Sequence, residues 1–222
     1  MVNNYVLIPA AGLGSRMGTE LPKQHLPVLG KPLIQYALEI FCHHPKVTEV
    51  YVLLAAEDKQ NYALPKCRMM HCGGATRAET VLNALQQLQC SADDWILVHD
   101  AVRPCINHEL LDRLFKELEY DAVGGLLAMP VADTLKRSSA DQRVVGTEPR
   151  TNLWQAQTPQ MFRFGLLKDA LQKLGTALPT DEAQAIEFLG HAPKLVMGDS
   201  CNLKVTYPRD LALAELILRN NI

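Results

Sequence analysis

The sequence predicts an α/β fold in which a sheet is sandwiched by helices and a polar arm projects from one side. Three observations carry this expectation. Runs such as 5–8 (Tyr-Val-Leu-Ile), 49–55 and 95–98 (Trp-Ile-Leu-Val) are almost continuously apolar, as suits parallel strands covered on both faces. Amphipathic helical patterns lie between them, and strand, helix, strand in that order implies a right-handed βαβ crossover. Residues 130–153, by contrast, carry too many charges to bury. With 222 residues, 48% of them hydrophobic, the chain reads as a single domain over 1–222 that includes this arm.

The first strand, 5–8, runs into Pro9-Ala10-Ala11-Gly12-Leu13-Gly14-Ser15-Arg16-Met17-Gly18, with Pro22-Lys23 close behind. Two commoner phosphate loops do not fit. A P-loop needs Lys-Ser/Thr directly after its last glycine, where Thr19-Glu20 stands here, and a dinucleotide fingerprint needs a third glycine where Met17 stands. At Gly12 and Gly14 no Cβ keeps an anion from the backbone, so the N–H groups there can form an anion-binding nest. Arg16 and Lys23 add two positive charges, which suits a polyphosphate held along its length.

Pro32 sits well as an early helical residue, and Leu33, Ile34, Ala37, Leu38 and Phe41 fall on one helical face. Strand 49–55 follows, then a polar irregular stretch, 57–67, and a short strand, 68–71, leading into Gly73-Gly74. Thr76 and Glu79 stand at capping-box spacing, so a helix begins at Thr76 with its positive end beside the two glycines. Strand 95–98 delivers His99-Asp100-Ala101-Val102-Arg103-Pro104 to its carboxyl end, where ligands of open α/β sheets bind. Asn107 caps the next helix, and 122–129 is another apolar strand. Within the arm, Arg143-Val144-Val145 can pair as a strand. A strand at 153–157 returns to the core before Thr158-Pro159-Gln160. Helices are expected at 163–174, at 181–189 with Thr180 as cap, and at 207–219 with Pro208 near its start. Strands at 194–197 and 202–205 lie between the last two.

A formal net charge of −2 argues against nonspecific nucleic-acid binding, so any cationic site is local. The six cysteines form no C-x-x-C pair and nothing at the N-terminus reads as a signal peptide, which leads to the expectation of a reduced, cytoplasmic setting. Neither Cys67, His71 and Cys72 nor Cys42-His43-His44 has a second ligand pair at zinc spacing. No apolar stretch reaches the roughly 20 residues needed to cross a bilayer.

The glycine loop with Arg16 and Lys23 resembles the opening motif of nucleotidyltransferases that join a nucleoside triphosphate to a phosphorylated sugar or alcohol. Five further stretches extend the likeness: Gly73-Gly74-Ala75-Thr76-Arg77, the run from His99 to Pro104, Asp133-Thr134, Thr158-Pro159-Gln160, and Asn202-Leu203-Lys204-Val205-Thr206. In this order the six resemble the 2-C-methyl-D-erythritol 4-phosphate cytidylyltransferases of the non-mevalonate isoprenoid pathway. The resemblance implies a Rossmann-like nucleotidyltransferase sheet, a reaction of CTP with methylerythritol phosphate that releases diphosphate, and Mg²⁺ held mainly by the CTP phosphates, with Asp100 as a candidate contributor.

Carried over residue by residue, the family's roles fall on particular positions here. Arg16 and Lys23 match the pair that stabilises charge on the reacting phosphorus, with Lys204 joining them at the α-phosphate. Ala10, Ala11, Gly12, Gly14, Gly74, Ala75 and Thr80 match the nucleotide site, a small corner that a purine would overfill. Asp100, Arg103, Thr134, Arg150, Thr158 and Lys204 match the methylerythritol phosphate site, and Arg150 is counted with the catalytic residues. Thr80 replaces the usual serine and Glu79 the usual aspartate, each keeping the functional group. Thr134 and Arg150 bracket the arm, which in the family embraces a second subunit, so a homodimer with exchanged arms is implied.

Three other readings compete. A ribitol-5-phosphate cytidylyltransferase shares most of these motifs, but Pro9-Ala10-Ala11-Gly12 favours methylerythritol phosphate. A catalytically silent nucleotide-binding protein on the same fold would not need Arg16, Lys23, Asp100, Arg150 and Lys204 together. An NAD-binding oxidoreductase fails on Met17 and on the lack of a ribose-binding acid after the second strand.

Overall fold

The computed structural model describes residues 2–12, 22–175 and 177–220. Gly14 and Arg16 lie outside these described residues. The elements in chain order are β1 (Asn4–Pro9), a 3₁₀ turn (Lys23–His25), β2 (Pro27–Val28), β3 (Lys31–Pro32), α1 (Leu33–His43), β4 (Glu49–Leu54), β5 (Cys67–His71), α2 (Arg77–Gln87), β6 (Trp95–Val98) and α3 (His108–Leu118). There follow β7 (Gly124–Pro130), β8 (Leu135–Ser138), β9 (Val144–Glu148), β10 (Trp154–Arg163), α4 (Phe164–Gln172), α5 (Glu182–Phe188), β11 (Lys194–Met197) and α6 (Pro208–Asn220).

Among the described residues the main sheet has seven strands in the order β11-β7-β10-β6-β1-β4-β5. β1 pairs in parallel with β4 and β6, and β4 with β5, which is the core expected from the apolar runs. β10 runs antiparallel between β6 and β7. Each face is covered. Phe41 and Leu38 of α1 and Leu111 and Leu114 of α3 pack with Val6, Ile8 and Val52 on one side. Val81 and Leu85 of α2, Leu167 of α4 and Ile186 of α5 pack with Leu7, Leu53 and Ile96 on the other. The five apolar residues predicted for the inner face of α1 are all fully buried, and Leu33, Ile34, Leu38 and Phe41 each contribute about 1.5–3 kcal/mol.

Local signals held at several ends. Thr76 caps α2 by accepting from the Glu79 backbone N–H, and Asn107 caps α3 by accepting from that of Leu110. The Glu79 carboxylate, however, accepts from the Ala75 N–H rather than closing the box on Thr76. Four expectations need correction. Residues 202–205 do not form a strand: Lys204 lies in a loop held by a Val205 N–H bond to the Val102 carbonyl. The strand expected to stop before Thr158 continues to Arg163, because a register shift between Ala156 and Gln160 absorbs Pro159, which has no N–H to give. The cap of α5 is Asp181, not Thr180, since its carboxylate reaches the Gln184 N–H. Pro32 precedes α1 as its cap and pairs with Pro27 instead of starting the helix.

The arm forms a separate two-stranded sheet in which Leu135 pairs with Glu148 and Arg137 with Gly146. Its cross-strand contacts are polar, among them Arg137 to Glu148 at 2.6 Å and Lys136 to Thr147 at 2.6 Å. Val144 and Val145 are exposed on it.

Candidate active site

A cavity of about 530 Å³ opens at the carboxyl ends of β1 and β6. β1 supplies its first wall, because the chain leaves the sheet at Pro9 and passes through Ala10, Ala11 and Gly12 along the opening. Gln24, buried in the 3₁₀ turn, donates its amide to the Ala10 carbonyl at 2.7 Å and to that of Gly12 at 3.2 Å. Lys23 beside it donates to the Thr206 carbonyl at 2.8 Å, tying this turn to the loop that carries Lys204.

The second wall is the corner ahead of α2. At Gly73 a Cβ would lie 2.8 Å from that of Ala11, and at Gly74 a Cβ would lie 2.5 Å from the Glu79 side chain, so both positions require glycine. Thr80 is buried; its hydroxyl accepts from the Gly74 N–H at 3.0 Å and donates to the Thr76 carbonyl at 3.0 Å. The corner expected from Ala10, Ala11, Gly12, Gly74, Ala75 and Thr80 is therefore assembled on one side of the cavity.

Asp100 stands at the end of β6, nearly buried. Lys204 Nζ lies 2.8 Å from Oδ2, Arg77 Nε 3.1 Å from Oδ1, and Arg103 Nε 3.9 Å from Oδ2. Burial alone would raise the pKa of this carboxyl, but the three cations outweigh it and hold the group well below the usual carboxylate range. Asp100 is thus a salt-bridged aspartate as well as a cavity residue. Arg103 is fixed further by bonds to the carbonyls of Asn202 at 2.6 Å and Ala156 at 3.4 Å.

Behind Asp100 runs a buried relay. The Asp100 N–H donates to the Thr158 hydroxyl at 3.0 Å, and that oxygen lies 3.1 Å from Nδ1 of His99. The other ring nitrogen lies 3.0 Å from the Arg103 carbonyl. A carbonyl only accepts, so Nε2 carries the hydrogen and Nδ1 accepts from Thr158. Burial pulls the His99 pKa down to about 4, which keeps the ring neutral and this relay intact near neutrality.

A smaller cavity of about 150 Å³ lies across the same cluster, with Arg77, Asp100 and Lys204 common to both. Arg103, Thr158 and Asp181 are among its other walls. Thr134 and Arg150 line neither cavity. Both are exposed at the base of the arm, where Arg150 donates to the Ala132 carbonyl. The residues expected to bind methylerythritol phosphate thus fall into two groups, Asp100, Arg103, Thr158 and Lys204 together and Thr134 and Arg150 apart on the arm.

Sequence reasoning missed Arg77, Gln24, His99 and Glu182. Arg77 and His99 lay inside quoted motifs without a role. Gln24 followed Lys23 directly. Glu182 gave no local signal, because its ion pair with Arg77 at 2.6 Å joins positions more than a hundred residues apart.

The chain is similar to known proteins over nearly its whole length. A family model described as 2-C-methyl-D-erythritol 4-phosphate cytidylyltransferase matches residues 4–220. Proteins of that name from Nitrosospira multiformis and Dechloromonas aromatica are each 56% identical to this chain, covering 99% of both partners in either comparison. A crystal structure of 4-diphosphocytidyl-2C-methyl-D-erythritol synthase is similar with a TM-score of 0.87 and 41% identity, covering 98% of this chain and 99% of the other. That of the Francisella tularensis cytidylyltransferase gives 0.85 and 34%, covering 96% and 99%.

Proposed function

The chain belongs to the 2-C-methyl-D-erythritol 4-phosphate cytidylyltransferase family, and from that membership we propose how the residues around its cavities divide the work. The enzyme transfers CMP from CTP to 2-C-methyl-D-erythritol 4-phosphate, giving 4-diphosphocytidyl-2-C-methyl-D-erythritol and diphosphate on the way to isoprenoid precursors. The observation that best supports the division is the wall of Arg77, Asp100 and Lys204 shared by a larger and a smaller cavity. Two polyanions held on either side of it meet at one phosphorus.

The phosphate monoester of methylerythritol phosphate is ionised near neutral pH and attacks the α-phosphorus of CTP without an enzymic nucleophile. One P–O bond forms, the bond to the β-phosphate breaks, and diphosphate leaves with the electron pair. What the protein supplies is electrostatic: Arg16 and Lys23 on the triphosphate, Lys204 at the α-phosphate. Ala10, Ala11, Gly12, Gly14, Gly74, Ala75 and Thr80 receive the nucleotide. Asp100, Arg103 and Thr158, with Thr134 and Arg150, orient methylerythritol phosphate.

Mg²⁺ fits this donor set in one way. Among the described residues no three His, Cys, Asp or Glu side chains gather, and both Asp100 oxygens already face cations. Mg²⁺ is commonly held by one or two carboxylates plus substrate phosphates and water, so the triphosphate would be its main ligand and Asp100 the protein's candidate contribution. Bound there, it would neutralise charge on the departing diphosphate.

The polar arm suits a homodimer in which each Thr134 and Arg150 serve the partner's site. Six free cysteines suit a reducing cytoplasm, and no helix among the described residues is long and apolar enough to cross a membrane. The test of the reaction is diphosphate release from CTP with methylerythritol phosphate, with ribitol phosphate, ATP and GTP as comparators. CTP with methylerythritol phosphate should be strongly preferred; equal turnover of a purine triphosphate, or a preference for ribitol phosphate, would overturn it.

A further inference from the structure

Three described cations surround Asp100, and they are not equally free to move. Arg103 is held from behind by the carbonyls of Asn202 and Ala156, and its side chain is 10% exposed. Lys204 is 46% exposed, and its ammonium is held by an ion pair to Asp100 Oδ2 at 2.8 Å. Arg77 lies at the lip of the nucleotide cavity, where an unrestrained guanidinium would be drawn to a triphosphate. It is restrained. Nε faces Asp100 at 3.1 Å while Nη1 faces Glu182 at 2.6 Å, so one rigid fork spans two carboxylates.

Glu182 is built into place. Its side chain is 1% exposed, it opens α5 under the Asp181 cap, and the Ala183 N–H beside it is bound by Gln160 Oε1 at 2.8 Å. The same Gln160 donates to Asp181 at 2.9 Å, which fastens the start of α5 to β10. Oε2 of Glu182 and Nη2 of Arg77 are buried with no hydrogen-bond partner among the described residues. Burying a carboxylate that incompletely is costly, and a purely structural position would accept a neutral residue at less cost.

We propose that Glu182 is a positioning residue for the transfer reaction: it holds Arg77 against Asp100, so that Lys204 is the cation of this cluster that turns from Asp100 to the α-phosphate. This rests on the assignment of Lys204 to that phosphate. With Glu182 neutral, Arg77 has one anchor fewer and competes with Lys204 for the same oxygens. The loss then falls on the chemical step more than on CTP binding.

The test compares the full-length Glu182→Gln, Arg77→Lys, double and Lys204→Ala variants, using CTP and methylerythritol phosphate. Glu182→Gln should lower kcat by about 10–100-fold, the weight of one charged hydrogen bond, while the KM for CTP stays within about twofold. Arg77→Lys keeps the charge but cannot span both carboxylates, so it should lose as much, and the double variant should lose no more than either alone. Should Glu182→Gln fail to fold by circular dichroism, Arg77→Lys decides by the same kcat and KM readout. Wild-type kcat in the folded variants, additive losses, or an effect confined to the KM for CTP would overturn the proposal. Full activity in Lys204→Ala would instead overturn the assignment beneath it.

Discussion

Lys23 and Lys204 come from opposite ends of the chain and meet at one cavity, joined by the bond from Lys23 to the Thr206 carbonyl. If Lys23 stabilises charge that appears only in the transition state, Lys23→Ala should lower kcat by roughly 10²–10³-fold with a smaller change in KM, and Arg16→Ala should do the same. A steady-state comparison checks this, and a rise in KM alone would make them ground-state binders. Because Lys23 is 6% exposed and carries that bond, its melting temperature should be followed as well. His99 offers a second, independent measurement. Its folded pKa of about 4 lies below the ordinary value, so between pH 4 and 6.5 the unfolded chain holds the extra proton. Its contribution is fully present above about 6.5 and lost as pH falls toward 4, an effect of about 3 kcal/mol. Asp100, held low by its cations, adds a loss below the ordinary aspartate range, while Glu182, raised by burial, acts in the opposite sense. Urea unfolding from pH 7.5 to 4 should therefore fall less steeply for His99→Gln than for wild type, and parallel curves would show that His99 does not titrate. The lysines and Asp100 were legible because they sit in short motifs. Arg77 with Glu182 was not, because the charge that explains each lies far away in sequence.

At the scale of elements, periodicity found what periodicity encodes. The inner face of α1, the caps of α2 and α3 and the buried strand β6 were all written locally. Strand order was not, because β10 lies between β6 and β7 through pairings whose partners are distant and whose Pro159 reads as a stop. The loop that carries Lys204 looked like a strand since the apolar alternation of Leu203 and Val205 also describes residues packing against α6; Val205 is buried there with Ala214 and Ile217. Close approach in the sheet makes its own prediction. At Gly125 of β7 an added Cβ would collide with the Lys194 backbone of β11, and neither strand can yield without breaking the ladder between them. Gly125→Ala should cost about 2–3 kcal/mol in urea unfolding. Asn107→Ala, which removes only the cap of α3, should cost about 1 kcal/mol. A smaller loss at Gly125 than at Asn107 would mean that β11 detaches freely from the sheet.

At the scale of the whole molecule the arm poses the remaining question, because Thr134 and Arg150 are proposed to bind methylerythritol phosphate yet line neither cavity. The arm has no core of its own: β8 and β9 are joined by polar contacts, and Val144 and Val145 stay exposed. A two-fold dimer resolves both facts if each arm reaches into the partner's site. Lys23 and Arg150 of one working site then come from different chains. Lys23→Ala and Arg150→Ala proteins, each nearly inactive, should complement when mixed under conditions of subunit exchange, because every mixed dimer has one site with both residues and one with neither. Random exchange at equal concentrations puts about half the dimers in the mixed state, so activity should recover to roughly a quarter of wild type. Each variant carried alone through the same unfolding and refolding is the control. Exchange demonstrated by mass with no recovery of activity would assign Arg150 to its own subunit's site or to none, and the displaced pair at the arm's base would need another occupant.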